Sequence, residues 1–281
     1  MKYGVVFSGG LDSTVLLYHL VKEYGKEEVV AIGIDFGQPD VLEDRNGNSF
    51  ANNVIERSIM HSVTEKLGVK LHMIDLSTLS FVLEFMKARI EKEGARRKGK
   101  SLSLFPGRNF ILAYTAAAVA ETYGCEEVCM GFPKTDYIGG LGSYTSSQEF
   151  LDELNILAEK SSDLSIRFTS PLHHLSKAGE ILLAQELGVN FKEDVWTCLH
   201  PKEMVTADDG EGHIDIDFVQ CGTCKPCVRN RAAFVMSGVK DPFTYASKTW
   251  SLDERMYTQF KLAGDNVEKL DELGVVKHEP K

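Results

Sequence analysis

Two short segments hold residue types at spacings that can do chemistry. The first is Ser8-Gly9-Gly10-Leu11-Asp12-Ser13-Thr14. It follows an apolar run, Tyr3 to Phe7, and precedes Leu16, Leu17, Leu20 and Val21 at helical spacing, so it sits between a buried strand and a helix. Glycines at such a turn let an anion come close to the backbone. The N–H groups of the first helical turn then face that anion, and the helix dipole favours it. Ser8, Ser13 and Thr14 add hydroxyl donors, and Asp12 either caps the helix or holds a metal ion. No lysine follows the glycines, so this is not a Walker phosphate loop. The second segment is Cys221-Gly222-Thr223-Cys224-Lys225-Pro226-Cys227, with Cys198 placed 23 positions before Cys221. Four thiolates match a closed tetrahedral zinc site, and an iron–sulfur cluster is the competing reading of the same spacing. A closed site offers no position to a substrate, so zinc here would be a structural clamp between the loop after Trp196 and the segment at Arg229. Cys125 and Cys129 read as small core residues, and His200 and His213 as surface histidines.

The elements that must position these segments alternate. Strands are expected at Tyr3–Phe7, Val29–Ile34, Val69–Leu76, Glu127–Gly131 and Ile166–Phe168. Helices are expected at Asp12–Tyr24, Ser49–Leu67, Leu79–Ile90, Asn109–Tyr123, Gln148–Lys160 and Ser176–Leu187. This rhythm predicts an α/β fold with a doubly wound parallel sheet, which binds ligands at the carboxyl ends of its strands. After residue 190 turn residues and cysteines take over. The reading is therefore an α/β domain over 1–190 and a small zinc-bearing region with short helices over 191–281. Residues 201–217 read as an exposed acidic excursion, with Glu203, Asp208, Asp209, Glu211, Asp215 and Asp217. The 281 residues carry 31 Lys and Arg against 41 Asp and Glu, a net charge of −10, which argues against coating nucleic acid or an anionic membrane. No apolar run approaches the ~20 residues a bilayer requires. No secretory signal is evident, so a cytoplasmic protein with reduced cysteines is expected.

The string Ser8-Gly9-Gly10-Leu11-Asp12-Ser13 resembles the PP-loop signature of the N-type ATP pyrophosphatases. That resemblance implies cleavage of ATP to AMP and pyrophosphate, with the loop holding the leaving pyrophosphate while a substrate oxygen is adenylated. Further matches follow in one order. They are Phe105-Pro106-Gly107-Arg108-Asn109, Gly131, Thr135-Asp136-Tyr137, Thr169-Ser170-Pro171-Leu172, Ser176-Lys177-Ala178, Thr197-Cys198 and the cysteine triplet. Together they are similar to the 7-cyano-7-deazaguanine synthase (QueC) family over roughly residues 3–232. The resemblance implies a PP-loop, HUP-like fold, structural zinc, ATP with Mg2+, and a homodimer. It implies adenylation of 7-carboxy-7-deazaguanine, displacement of AMP by ammonia, and a second ATP that converts the amide to the nitrile. It carries ATP contacts to Ser8–Thr14, Asp35, Gln38, Arg108 and Gly131, and substrate contacts to Asn109, Asp136 and Tyr137. Catalytic roles fall on Asp12, Ser13, Arg108 and Lys177. Arg108 suits a phosphate clamp because guanidinium binds phosphate through two hydrogen bonds.

The chain departs from the family pattern at one place. Asp136 is followed by Tyr137-Ile138-Gly139-Gly140-Leu141-Gly142-Ser143-Tyr144, where the family continues Ser-Gly-Tyr-Pro-Asp-Cys-Arg. The stretch between Cys198 and Cys221 is also long. These departures leave open a relative that activates a deazaguanine carboxylate but stops at the amide or passes the acyl group to another amine, including one on a partner protein. A different PP-loop ligase or a tRNA thiolase is the next alternative, although thiolation calls for a catalytic cysteine pair near the loop. Lys87, Arg89, Lys92, Arg96, Arg97, Lys98 and Lys100 form a basic run that reads either as a lid over phosphates or as a solvated charge run.

Overall fold

Alternation along β1 (Tyr3–Val6) sends its side chains to two opposite cores. Tyr3, Val5 and the following Phe7 join Val29 and Ala31 of β2 (Val29–Asp35) on one face, against α1 (Leu11–Tyr24). Val30 and Ile32 of β2 join the other face, against α3 (Arg108–Thr122). The computed structural model describes residues 1–36, 41–43, 49–82, 107–161, 164–208 and 214–277. The remaining described elements of the main layer are β3 (Val41–Glu43), β4 (Ser49–Ala51), α2 (Asn52–Leu67), β5 (Lys70–Asp75), β6 (Glu127–Cys129), β7 (Tyr137–Ile138), β8 (Leu141–Gly142), α4 (Gln148–Ser161), β9 (Arg167–Thr169) and α5 (Lys177–Glu186).

The sheet order is β5-β2-β1-β6-β9, and every pair is parallel. Crossovers run outward in both directions from β1, so helices cover both faces, which is the doubly wound arrangement the alternation predicts. A stripe of Ala113, Ala116, Ala117 and Ala120 lets α3 lie close to the sheet; a Cβ at Gly4 would come 3.0 Å from Ala120 Cβ. This close approach sets the start of α3, and with it Arg108, over the carboxyl ends of β1 and β2.

Beyond β9 come α6 (Phe191–Asp194), β10 (Lys202–Asp208), β11 (Ile214–Val219), α7 (Lys225–Ser237), β12 (Leu252–Asp253), α8 (Glu254–Ala263), α9 (Glu268–Glu272) and β13 (Val276–Lys277). Leu252, Met256, Phe260, Val267 and Leu270 form a separate core with Val228, Ala232 and Met236 of α7 and Ala178 of α5. Ala233 and Phe234 of α7 join the core around β1.

Some boundaries differ from the sequence reading. Residues 49–51 pair antiparallel with 41–43, so the following helix starts at Asn52 rather than Ser49. The expected acidic excursion at 201–217 is an antiparallel hairpin, β10–β11, with a register break between Val205 and Ala207. The physical reason is the alternation Ile214-Asp215-Ile216-Asp217-Phe218, which is a strand pattern as well as a charge pattern. The basic run 87–100 and most of the expected helix 79–90 lie outside the described residues. Among the described residues no helix is long and apolar enough to cross a membrane.

Candidate active site

The loop between β1 and α1 is held open by its own hydroxyls. Ser8 N donates to Ser13 Oγ at 3.2 Å, and Ser13 Oγ donates to the Gly10 carbonyl at 3.2 Å. Gly9 adopts φ +71°, a left-handed conformation that favours glycine. Gly10 is the N-cap and supplies no side-chain acceptor, so the first N–H groups of α1 remain available to a ligand. Asp12 therefore does not cap the helix. Gly131, just past β6, is forced by packing: a Cβ there would lie 3.0 Å from both the Asp12 carbonyl carbon and the Ser13 nitrogen.

A cavity of about 270 Å³ opens beside this loop at the carboxyl ends of β1, β2 and β6, as expected for a doubly wound sheet. Ser8, Gly10, Asp12, Ser13, Arg108, Asn109, Gly131 and Asp136 all line it, together with Phe36, Glu56, Phe132 and Leu199. Other expected residues are placed differently. Leu11 is in the core, and Thr14 is buried with its hydroxyl donating to the Asp194 carbonyl at 3.3 Å. Either can reach a ligand only through its backbone. Asp35 is buried at the end of β2, 3.5 Å from Arg57 Nη1. Tyr137 stacks edge-on against Tyr144, with ring centroids 5.9 Å apart, and does not line the cavity. Gln38 lies outside the described residues.

The electrostatics of the cavity rest on charges far apart in sequence. Lys177, at the start of α5, is 5% exposed; its ammonium pairs with Asp12 and lies 3.7 Å from Glu180 Oε2. Burial alone would raise the Asp12 carboxyl, but Lys177 beside it holds it below the ordinary value. Glu180 is fully buried, and that burial, with Asp12 as a like charge, pushes its carboxyl well above the usual range. Burial would lower Lys177, but the two carboxyls raise it. Ser176 caps α5 by accepting from Gly179 N at 3.1 Å, which fixes the origin of this helix. Arg108 is lowered by burial, partly offset by Glu56 and Asp136, and its buried Nε has no hydrogen-bond partner among the described residues. An unpaired buried guanidinium N–H beside a helix N-terminus is suited to an anionic ligand. Asn109 donates instead to Thr145 O at 2.9 Å, pinning the turn at 144–146. Sequence reasoning missed three charged residues. Glu56 has no motif around it; Glu180 and Arg229, whose Nη2 donates to Asp136 Oδ1 at 2.7 Å, follow recognised motifs within three residues.

The four expected metal ligands come together. The Sγ atoms of Cys198, Cys221, Cys224 and Cys227 lie within 4.8 Å of one another. Backbone N–H groups of Cys221, Thr223 and Cys224 donate to sulfur at 3.1, 3.4 and 3.2 Å, an arrangement that favours thiolates. Crowding shifts the thiols in opposite senses, with Cys224 lowered and Cys198 and Cys227 raised through their mutual hydrogen bonds. Such a set deprotonates fully only around a cation. The group is tied to the cavity: Trp196 N donates to Gly9 O at 2.8 Å, and buried Asn230 holds Thr197 Oγ1 at 2.8 Å. Cys125 and Cys129 are buried away from it in the core, where burial pushes Cys129 up to about 12.

A family profile described as queuosine biosynthesis protein QueC matches residues 2–238. The chain is 29% identical to the 7-cyano-7-deazaguanine synthase of Methanocaldococcus jannaschii over 87% of this chain and 99% of the relative. It is 28% identical to the enzyme of the same name from Chromobacterium violaceum, over 85% and 91%. Among solved structures it is similar to a U34-tRNA thiolase from Methanococcus maripaludis that holds a four-iron cluster, with TM-score 0.44, 17% identity, and coverage of 71% of this chain and 61% of the other.

Proposed function

The chain belongs to the QueC family, and from that premise we propose that it is an ATP-dependent ligase acting on 7-carboxy-7-deazaguanine. A carboxylate oxygen of the acid attacks the α-phosphorus of ATP, and pyrophosphate leaves. Ammonia then attacks the acyl carbon, and AMP departs with the former carboxylate oxygen, giving the amide. The amide oxygen attacks the α-phosphorus of a second ATP and displaces pyrophosphate, and loss of AMP with the two nitrogen protons then leaves the nitrile. The chemistry needs AMP because a carboxylate oxygen is a poor leaving group. The protein's part is positioning and charge stabilisation.

The observation that carries this reading is the pairing of an α1 N-terminus that has no side-chain cap with an Arg108 Nε that has no partner among the described residues, across one cavity. Ser8 to Ser13 would receive the phosphates, with Arg108 and Lys177 balancing their charge. Gly131 would border the nucleotide, and Asn109 and Asp136 the ring. Mg2+ would accompany the ATP phosphates and screen their charge. Zinc in the four-cysteine group is favoured by the Sγ separations. A single tetrahedral ion with Zn–S near 2.3 Å brings its sulfurs to about 3.8 Å from one another, whereas thiolates bound to different irons stand farther apart; Cys221 Sγ and Cys227 Sγ are 4.0 Å apart. Bound there, zinc supplies no chemistry to the reaction and fixes the loop that carries Trp196. A cytoplasmic homodimer completes the proposal. Incubation with ATP, the acid and ammonia is expected to yield AMP and pyrophosphate. ADP as the nucleotide product would reject the assignment.

One observation favours a second reading. The stretch 137–142, where the family's charged run is missing, is a glycine-turned hairpin. An altered ring or acceptor side would end the reaction at the amide or transfer the acyl group to another amine. Mass spectrometry of the products separates the two, since free nitrile formed at an enzymatic rate excludes the second.

A further inference from the structure

The hairpin at 137–142 has a packing partner in the last part of the chain. Gly139 and Gly140 turn it with φ +59° and +72°. At Gly142, φ is +94° and a Cβ would fall 1.9 Å from the Asp136 carbonyl oxygen, so the strand closes directly on Asp136. Ser143 N donates to that oxygen at 3.1 Å. On its other side the hairpin meets α8: a Cβ at Gly139 would lie 2.7 Å from Leu262 Cδ1, and one at Gly142 would lie 2.7 Å from Gln259 Nε2. Lys134 Nζ donates to the Ala263 carbonyl at 3.4 Å, closing the same seam. Asp136 is held from a second direction. Arg229 Nη2 donates to its Oδ1 at 2.7 Å and to Thr135 O at 3.1 Å, while the guanidinium carbon lies 5.9 Å from the centre of the Phe260 ring. Phe260 is 1% exposed and belongs to α8. The helix lies beyond residue 238, where the family match ends.

We propose that Arg229, seated on Phe260 of α8, is a positioning residue that fixes Asp136 for the ring of the acid substrate, and that α8 with the β7–β8 hairpin forms the support behind Asp136 rather than part of the cavity lining. The proposal rests on the deazaguanine reading above and deepens it. Asp136 lines the cavity, and an ionised carboxylate has about four acceptor positions. Arg229 uses one position on Oδ1 and leaves the others to N–H donors of a planar aminopyrimidinone edge. The bond from the same nitrogen to Thr135 O keeps the guanidinium from swinging into the ligand space. Pre-ordering the carboxylate in this way removes an entropic cost from binding.

The test is acid-dependent exchange of labelled pyrophosphate into ATP, measured on the purified full-length protein with 7-carboxy-7-deazaguanine. Arg229→Gln is expected to raise KM for the acid about tenfold, the loss of one charge-assisted hydrogen bond, while KM for ATP stays within about twofold. Arg229→Lys should recover part of that loss. Phe260→Leu nearly conserves core volume and should raise KM for the acid about threefold by removing the ring under the guanidinium. An unchanged KM for the acid in both Arg229→Gln and Phe260→Leu, or an equal rise in KM for acid and ATP, overturns the positioning role. A wild-type protein that catalyses exchange with no dependence on this acid overturns the deazaguanine reading itself, and with it the ligand named here.

Discussion

Replacing Lys177 by methionine removes the one ammonium from a space that also holds Asp12 and Glu180. Removing one partner of a buried pair costs about 3–5 kcal/mol, because the other charge is left uncompensated. Glu180 is already held toward its neutral form, and the Asp12 side chain is 26% exposed, so the expected loss at neutral pH falls at the lower end, about 3 kcal/mol. In a chain of this length that lowers Tm by about 6–12 °C. The loss must also depend on pH. In the wild type the Asp12 carboxyl is lowered from 3.8, so its contribution is present above that value and fades as pH falls through the lowered one. Glu180 is raised from 4.5, so its contribution is present in acid and fades as pH rises through the raised value. Lys177 is raised from 10.5, so its contribution persists up to that pH and is lost above it. In the variant, burial acts on Asp12 against only the Glu180 hydrogen bond and the Arg229 charge, so its carboxyl moves up and protonation relieves part of the loss as pH falls. Thermal unfolding of both proteins between pH 4 and 8 should show the deficit shrinking on acidification. A deficit independent of pH would mean lost packing rather than lost charge, and an unchanged Tm at pH 7 would remove the pair from the account.

Cys224→Ser should give protein with less than half an equivalent of zinc and poor solubility, since structural zinc contributes on the order of 10 kcal/mol to folding; elemental analysis that finds iron in the wild type rejects zinc. Gly131→Ala puts a Cβ 3.0 Å from backbone atoms of Asp12 and Ser13, which cannot rotate away. It should cost about 1–3 kcal/mol and weaken ATP binding, and titration showing wild-type affinity would reject the tight β6–α1 contact as a determinant of the site.

The positions and parallel direction of the five main strands were legible because each buried strand reads as a short apolar run between turn signals, and because helical periods separate them. The four-cysteine group was legible for a similar reason: two of the three intervals are local, and the residue type has few other uses at that density. The hairpin at 202–219 was missed although its signal was present. Asp215 and Asp217 drew attention as charges, and the alternating Ile214, Ile216 and Phe218 went unread as a strand. The role of Gly10 as helix cap was hidden because a glycine cap leaves no side-chain signature, and Asp12, two residues on, is the residue that looks like one.

The charged part of the site was the least legible, and the reason is topological. Asp12 and Lys177 are 165 positions apart, and Asp136 and Arg229 are 93 apart. No local period records such pairs; they exist only because α5 and α7 pack together against α1 and the end of β6. The cysteine group adjoins that packing. Trp196 and Thr197 immediately precede Cys198, and both touch the α1 loop: Trp196 N bonds Gly9 O, and a Cβ at Gly10 would lie 3.8 Å from Thr197 Cγ2. Cys224 is the N-cap of α7, the helix that carries Arg229 five residues later. An ion bound by the four sulfurs would fix, through one loop and one helix, the backbone proposed to receive phosphate and the arginine proposed to orient Asp136. A metal with no open coordination position can still decide whether both halves of a bound substrate pair meet in register.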